Sequence, residues 1–376
     1  MRILHTSDWH LGMPLKQGTM VDDQRFFLAQ LCRIIREEAV DAVICAGDVY
    51  DSSVANAEAI GLYNEAVTTI CRDLGKPMIV IAGNHDSAAR LSACSELLRA
   101  AGLYVFGRLE REVRPVDLGG AVIYPIPFFS KDAVSALYPE AREQIHSQQD
   151  AAQIVCDRIR ERMDPARVNI AAAHAFIVDA ELSESDRAAQ VGQASAISAD
   201  VFAGFDYVAL GHIHKPQRIS PTVRYSGTPI AYSFGKEEAQ VKQVVIFDTE
   251  TKEQKAVPLA QLHPRRSLRG TYAEISRMDG LEDCYLNLTV TDRIAGLELL
   301  AELQGKFPFL LELHGMSAEA GGAETSISVD ELRQMREEDI LNLFLKEQYD
   351  GYEPGPAQTE LFRRVLAQVM EGGDGV

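Results

Sequence analysis

The sequence predicts a layered α/β fold with parallel strands, and three observations carry that prediction. Compact apolar runs rich in Ile and Val alternate with amphipathic stretches over the first eighty or so residues. Each run stops at a glycine or a polar turn, while the stretches between runs space their apolar residues as a helix face does. The loops that close the runs hold acidic, amide and imidazole groups, at the strand ends where α/β sheets collect their ligands.

In chain order, 2–7 (RILHTS), 42–47 (AVICAG) and 78–83 (MIVIAG) read as strands, and 22–39 and 55–74 as the helices between them. Further strands are predicted near 121–126, 168–174, 206–210, 223–226 and 243–248, with a helix over 147–163. Residues 264–270 (PRRSLRG) read as a linker. After it, strands at 271–276, 284–290 and 308–314 and a helix at 295–304 make a small module. A small-residue linker, 317–325, leads to two amphipathic helices, 329–349 and 357–370, whose apolar residues recur at spacings near three and four.

With 376 residues, 46% hydrophobic and 24% charged, the chain can bury a substantial core. No stretch approaches the roughly 20 apolar residues of a membrane helix. The opening MRILHTSDWHLG has one basic residue and then polar chemistry, so it does not read as a signal peptide. The six cysteines are scattered without a CxxC pair, as expected of reduced thiols in a cytoplasmic protein. The net charge of −18 has the wrong sign for holding nucleic acid by the surface alone. A phosphodiester substrate therefore calls for bound metal ions, a local basic patch or a partner.

The strand-end loops supply Asp8, His10, Asp48, Asn84, His174, His212 and His214. Mixed carboxylate, amide and imidazole donors without thiolate suit Mn²⁺, Fe²⁺ or Zn²⁺ in a reactive site, not a structural zinc site. Seven donors are too many for one tetrahedral ion but suit two that share a carboxylate. Such a pair can activate one water and stabilise both oxygens of an in-line displacement at phosphorus. A lone strand-end Asp or His is usually a turn or a surface group. The ordered set D-x-H, G-D-x-x-D, G-N-H-D, H, G-H-x-H is far more specific.

The stretches ILHTSDWHLG, GDVYD, VIAGNHDS, FDYVALGHIHKPQ and YSGTPI resemble the calcineurin-like metallophosphoesterase superfamily over roughly residues 1–235. Within it, the whole chain is similar to the SbcD family, bacterial counterparts of the double-strand-break repair nuclease. The resemblance implies a four-layer sandwich of two β-sheets flanked by helices (1–263), a small α+β capping domain (268–316) and C-terminal helices (326–372). It implies that Asp8, His10 and His214 hold one metal, that Asn84, His174 and His212 hold the other, and that Asp48 bridges them. Mn²⁺ is the expected ion. His85 would be the catalytic group beside the scissile phosphate, able to protonate the leaving oxygen, with the Asp51 carboxylate orienting it.

The implied activity is a 3′→5′ exonuclease on duplex ends and an endonuclease on single strands and hairpins, in DNA repair, recombination and replication. The C-terminal helices would dock on an SbcC-type coiled-coil ATPase. The chain would form a homodimer within a heterotetramer, through helices near 55–74 and 88–101. GDVYDSS places serine where protein phosphatases carry the arginine of GDxxDRG, which favours a diester. The alternatives are a small-molecule phosphodiesterase or phosphatase, and an assembly subunit with an inactive site. The last is disfavoured because no ligand position is replaced. Arg90 and Arg187 could touch a phosphate backbone. His5, His146, His263 and His314 read as structural or exposed, and Trp9 as packing the first loop.

Overall fold

The computed structural model describes residues 1–15, 18–178, 180–186, 196–316 and 324–328. Two compact units, Met1–Leu262 and His263–Val376, divide the chain.

The first unit opens with β1 (Arg2–Thr6), the short pair β2 (Pro14–Leu15) and β3 (Gly18–Thr19), α1 (Val21–Glu37) and β4 (Ala42–Ala46). Then come α2 (Ala57–Val67), which runs on into a π-helical turn at Thr68–Asp73, and β5 (Met78–Ile81). The short α3 (Ala88–Leu91) and α4 (Ser95–Leu98) precede β6 (Leu103–Phe106), β7 (Val116–Asp117) and β8 (Val122–Ile126). After α5 (Lys131–Leu137) and α6 (Gln148–Arg160) follow β9 (Asn169–His174), β10 (Tyr207–Gly211), β11 (Gln217–Arg218), β12 (Val223–Tyr225), β13 (Gln243–Asp248) and β14 (Gln254–Pro258).

Two six-stranded sheets result. One has the order β14-β13-β1-β4-β5-β6, the other β11-β12-β10-β9-β8-β7. The strands that end in the conspicuous loops run parallel in each, β1 with β4 and β5 in the first and β9 with β10 in the second. Alternation along a strand sends every second side chain to one face. Ile3, Ile44, Ile79 and Ile81 from the first sheet share one apolar layer with Ile123, Ile170, Ala172 and Ala209 from the second. The opposite face of the second sheet packs Ala171, Val208 and Leu210 against Val155 and Ile159 of α6 and Val134 of α5. This is the expected two-sheet sandwich flanked by helices. Burial of unbranched and β-branched apolar side chains, at about 25 cal/mol per Å², is what holds it.

In the second unit β15 (Arg265–Gly270), β16 (Tyr285–Ile294) and β17 (Leu310–Met316) pair in parallel, and β18 (Glu324–Ser328) pairs antiparallel with β17. The segments α7 (Tyr272–Ile275) and α8 (Leu297–Lys306) complete it. Two sequence expectations are corrected. PRRSLRG is an edge strand, not a linker: charged side chains suit an edge, and the Arg265 guanidinium lies 5.3 Å from the centre of the Tyr285 ring. Residues 272–275 are helical, not extended, because Thr271 and Glu274 form a reciprocal cap. Strand β18 also occupies part of what reads as a linker and the start of the predicted C-terminal segment. The helices predicted at 329–349 and 357–370, and Arg187, lie outside the described residues. Among the described residues no helix is long and apolar enough to cross a membrane.

Candidate metal centre

Every predicted donor stands at the C-terminal end of a parallel strand. The first sheet delivers Asp8 and His10 after β1, Asp48 and Asp51 after β4, and Asn84 and His85 after β5. The second delivers His174 at the end of β9 and His212 and His214 after β10. The loops are laced together by main-chain bonds: Asp8 N–H donates to Gly47 O (2.9 Å) and His10 N–H to Asp48 O (3.0 Å). His212 N–H donates across the sheets to Asp8 Oδ1 (2.9 Å). Asp8, His10, Asp48 and His212 all have positive φ, 52°, 42°, 49° and 107°. Each such residue costs about 1–3 kcal/mol and persists only where its surroundings over-determine it. The glycines beside the donors answer to crowding. A Cβ on Gly47 would stand 2.3 Å from His174 Nδ1, and one on Gly83 2.1 Å from Asp48 Oδ1.

The structure brings all seven donors together, six of them around two groups. Asp8, His10 and His214 form one; Asp48, His174 and His212 form the other. His10 Nε2 and His214 Nε2 are 3.1 Å apart. Asn84 joins the second group, its Oδ1 lying 3.0 Å from His174 Nε2 and 2.8 Å from His212 Nδ1. Asp48 Oδ2 lies 3.3 Å from His174 Nε2 and 3.9 Å from His10 Nε2, so this carboxylate stands between the groups. Of these donors His10, Asp48, Asn84, His212 and His214 line a cavity of about 90 Å³, together with Met13, His85, Ser185 and Asp186.

The model of the calcineurin-like phosphoesterase family matches residues 1–216. The chain belongs to that family. Three curated proteins, each named as the D-type subunit of the nuclease SbcCD, are similar to this phosphoesterase. That of Staphylococcus epidermidis is 28% identical over 378 residues and that of Bacillus subtilis 29% over 393, each covering 99% of both chains. That of Staphylococcus saprophyticus is 31% identical over 277 residues, 73% of each chain.

The calcineurin-like phosphoesterase family implies divalent metal ions, and the donor set fits them. Donors held about 2.0–2.2 Å from one ion stand roughly 3.0–3.5 Å apart, close to the separations of His10 from His214 (3.1 Å) and of His174 from Asn84 (3.0 Å) and Asp48 (3.3 Å). Two acceptors, Asn84 Oδ1 and Asp48 Oδ2, face His174 Nε2, while His174 Nδ1–H donates to Ala46 O (2.9 Å). Burial alone would lower His174, but the charge and hydrogen bond of Asp48 outweigh it and raise its pKa to about 9. Burial likewise opposes ionisation of Asp48, yet His174 and then His10 hold its carboxyl far below the usual range. Burial pushes Asp8 up to about 6 against the pull of His174. Burial and the neighbouring His174 charge lower His212 to about 3. The cluster thus balances buried carboxylates with imidazolium, a position a divalent cation can take.

The pairing expected of Asp51 is corrected. His85 Nδ1–H donates to the main-chain oxygen of Asp51 (2.7 Å), whereas the Asp51 carboxylate lies 3.5 Å from His10 Nδ1. The chain path after β4 brings the carbonyl, not the carboxylate, within hydrogen-bond reach of His85. Trp9 is fully buried, donates to Thr6 Oγ1 (2.9 Å) and packs edge-on against Phe27. Arg90 donates to Ser53 O (2.7 Å).

Sequence reasoning missed the residues behind the donors. Buried Asp86 accepts from the backbone of Val49, Tyr50 and Gly83, clamping the second loop to the third. Asp186 Oδ1 accepts from His214 N–H (2.9 Å), and Ser185 Oγ meets His214 Nδ1 (2.7 Å). A signal existed for Asp186. S-x-x-D at 183–186 is a turn-capping pattern, and Ser183 does bond Asp186 through both its N–H and its hydroxyl.

Proposed function

We propose that this phosphoesterase is a metal-dependent DNA nuclease, the D-type subunit of an SbcCD-type complex. It acts as a 3′→5′ exonuclease on duplex ends and an endonuclease on single strands and hairpins, in cytoplasmic DNA repair and recombination. One observation carries the reading: the carboxylate, amide and imidazole groups expected as donors cluster in a chain similar to named nuclease subunits over 99% of its length. Asp8, His10 and His214 would hold one Mn²⁺ and Asn84, His174 and His212 the other, with the Asp48 carboxylate shared between the two groups. Bound ions supply the charge that makes water nucleophilic near neutral pH and offsets that of the phosphate.

The chain's own groups do the rest. His85 N–H donates to Asp48 Oδ1 (2.9 Å), which ties the proposed acid to the bridging carboxylate. With Nδ1 held by Asp51 O, the Nε2 of His85 is left for the leaving oxygen. As water oxygen bonds to phosphorus and releases a proton to solvent, the bond to the sugar oxygen breaks and His85 Nε2 gives that oxygen a proton. The strand-rich module at 268–316 shapes duplex access. The segment 326–372 docks on an SbcC-type coiled-coil ATPase, within a heterotetramer built on a homodimer of this chain. That partner supplies the DNA-binding surface which a net charge of −18 withholds.

The test is digestion of end-labelled linear duplex DNA with Mn²⁺, Mg²⁺ or chelator, with and without the ATPase, beside Asp48→Ala protein prepared identically. Mn²⁺-dependent shortening absent from the variant is expected. Brisk hydrolysis of a small phosphodiester with no cleavage of DNA under any condition would replace this reading with a small-molecule phosphodiesterase.

A further inference from the structure

Behind the metal centre lies a buried ion pair that no step above uses. Lys242 and Glu237 are both fully buried, with Lys242 Nζ 2.5 Å from Glu237 Oε1. Taking two charges out of water is costly unless each is fully hydrogen-bonded, and these are. Lys242 also donates to Thr228 Oγ1 (2.8 Å). Glu237 Oε2 accepts from Ser233 N–H (2.8 Å), the Ser233 hydroxyl (2.5 Å) and the Ser185 hydroxyl (3.0 Å). The last contact points at the centre, since the same Ser185 Oγ lies 2.7 Å from His214 Nδ1.

The direction of each bond follows from the donor inventory. Paired with Lys242, Glu237 is a carboxylate and can only accept, so the single Ser185 proton goes to it. The Ser185 lone pair then has to accept from His214, which places the ring proton on Nδ1. His214 Nε2 is left bare, facing His10 Nε2 at 3.1 Å. The rest of His214 is gripped as well. Its N–H donates to Asp186 Oδ1, and its carbonyl accepts from Thr228 N–H (3.1 Å) and Lys242 Nζ (3.4 Å). We propose that Ser185, polarised by the buried Glu237–Lys242 pair, is a positioning residue that fixes His214 as the Nδ1–H tautomer and presents its Nε2 to the metal centre. The proposal rests on the metal-centre reading above. It assigns to Glu237 and Lys242, five residues apart and far from any ligand in the sequence, the role of keeping one ligand ready.

Nitrogen-15 histidine NMR of the metal-free protein reads the tautomer, with His214→Gln assigning the signal. Calorimetric titration with Mn²⁺ reads the affinity. The wild type is expected to show the Nδ1–H form. Ser185→Ala is expected to mix the tautomers and to weaken Mn²⁺ binding by about 10–100-fold, the usual effect of losing a partner behind a ligand. A wild-type Nε2–H tautomer overturns the proposal, whether or not the variant folds. So does a folded Ser185→Ala protein with unchanged tautomer and affinity. If the wild type binds no Mn²⁺, the metal-centre reading fails, while the tautomer still decides the relay.

Discussion

His85 has one ring nitrogen committed to a carbonyl and lines the cavity, which suits the role proposed for it apart from the seven donors. His85→Asn should lower turnover by about 10²–10⁴-fold and leave calorimetric Mn²⁺ affinity within twofold. A matching loss of metal would make His85 a ligand, in the company of His10 and Asp51 with which it clusters. His174 gives a second test. Its pKa is raised from 6.5 to about 9, so the stabilisation from its pairing with Asp48 is complete below about 6.5 and lost as pH rises through about 9. Thermal melts in chelator should therefore show stability declining across that window. Saturating Mn²⁺ should flatten the profile, because a metal-bound imidazole has no second proton to lose. A flat profile in chelator would remove the buried ion pair. At this scale the seven donors were legible because each stands at or just beyond the end of an apolar strand run. Ser185 and Glu237 were not, since they act through one another and leave no fixed spacing to a ligand, while Asp86 within G-N-H-D and Asp186 within S-x-x-D act on backbone groups that an inventory of donors passes over.

Among the elements, α6 shows how local chemistry positions a face of the second sheet. Ser147 accepts from Asp150 N–H (3.2 Å), and the Asp150 carboxylate accepts from Ser147 N–H (2.9 Å). This cap starts the helix whose Val155 and Ile159 pack against the sheet. Ser147→Ala should cost about 1 kcal/mol, lowering the melting temperature by roughly 2–4 °C. An unchanged melt would show that the cap is redundant. The parallel strands of the first unit were readable as runs of β-branched residues. The short or charged strands were not: β6, β14 and β15 lack such a run, and three arginines at 265–269 outweigh the strand signal in any reading by composition. The helical turn after β15 was announced by T-x-x-E at 271–274, a spacing that an apolar count passes over.

For the first unit as a whole, the feature that matters is the division of the donors between two sheets. The apolar layer joining those sheets sets how the two halves meet. Ile123→Ala should open a cavity there at a cost of about 2–5 kcal/mol and weaken Mn²⁺ binding, although Ile123 bears no donor. Ile159→Ala, on the far side of the second sheet, should cost a similar amount and spare the affinity. Equal affinities in the two variants would show that the layer does not set ligand spacing. Division between sheets also imposes an order in time. A chain emerging during synthesis has Asp8, His10, Asp48 and Asn84 within its first 84 residues, but the set of seven is complete only when position 214 has been added. It then still needs β13, which pairs with β1, to close the first sheet. A hydrolytic centre assembled so late stays silent in every nascent fragment that ends before β13.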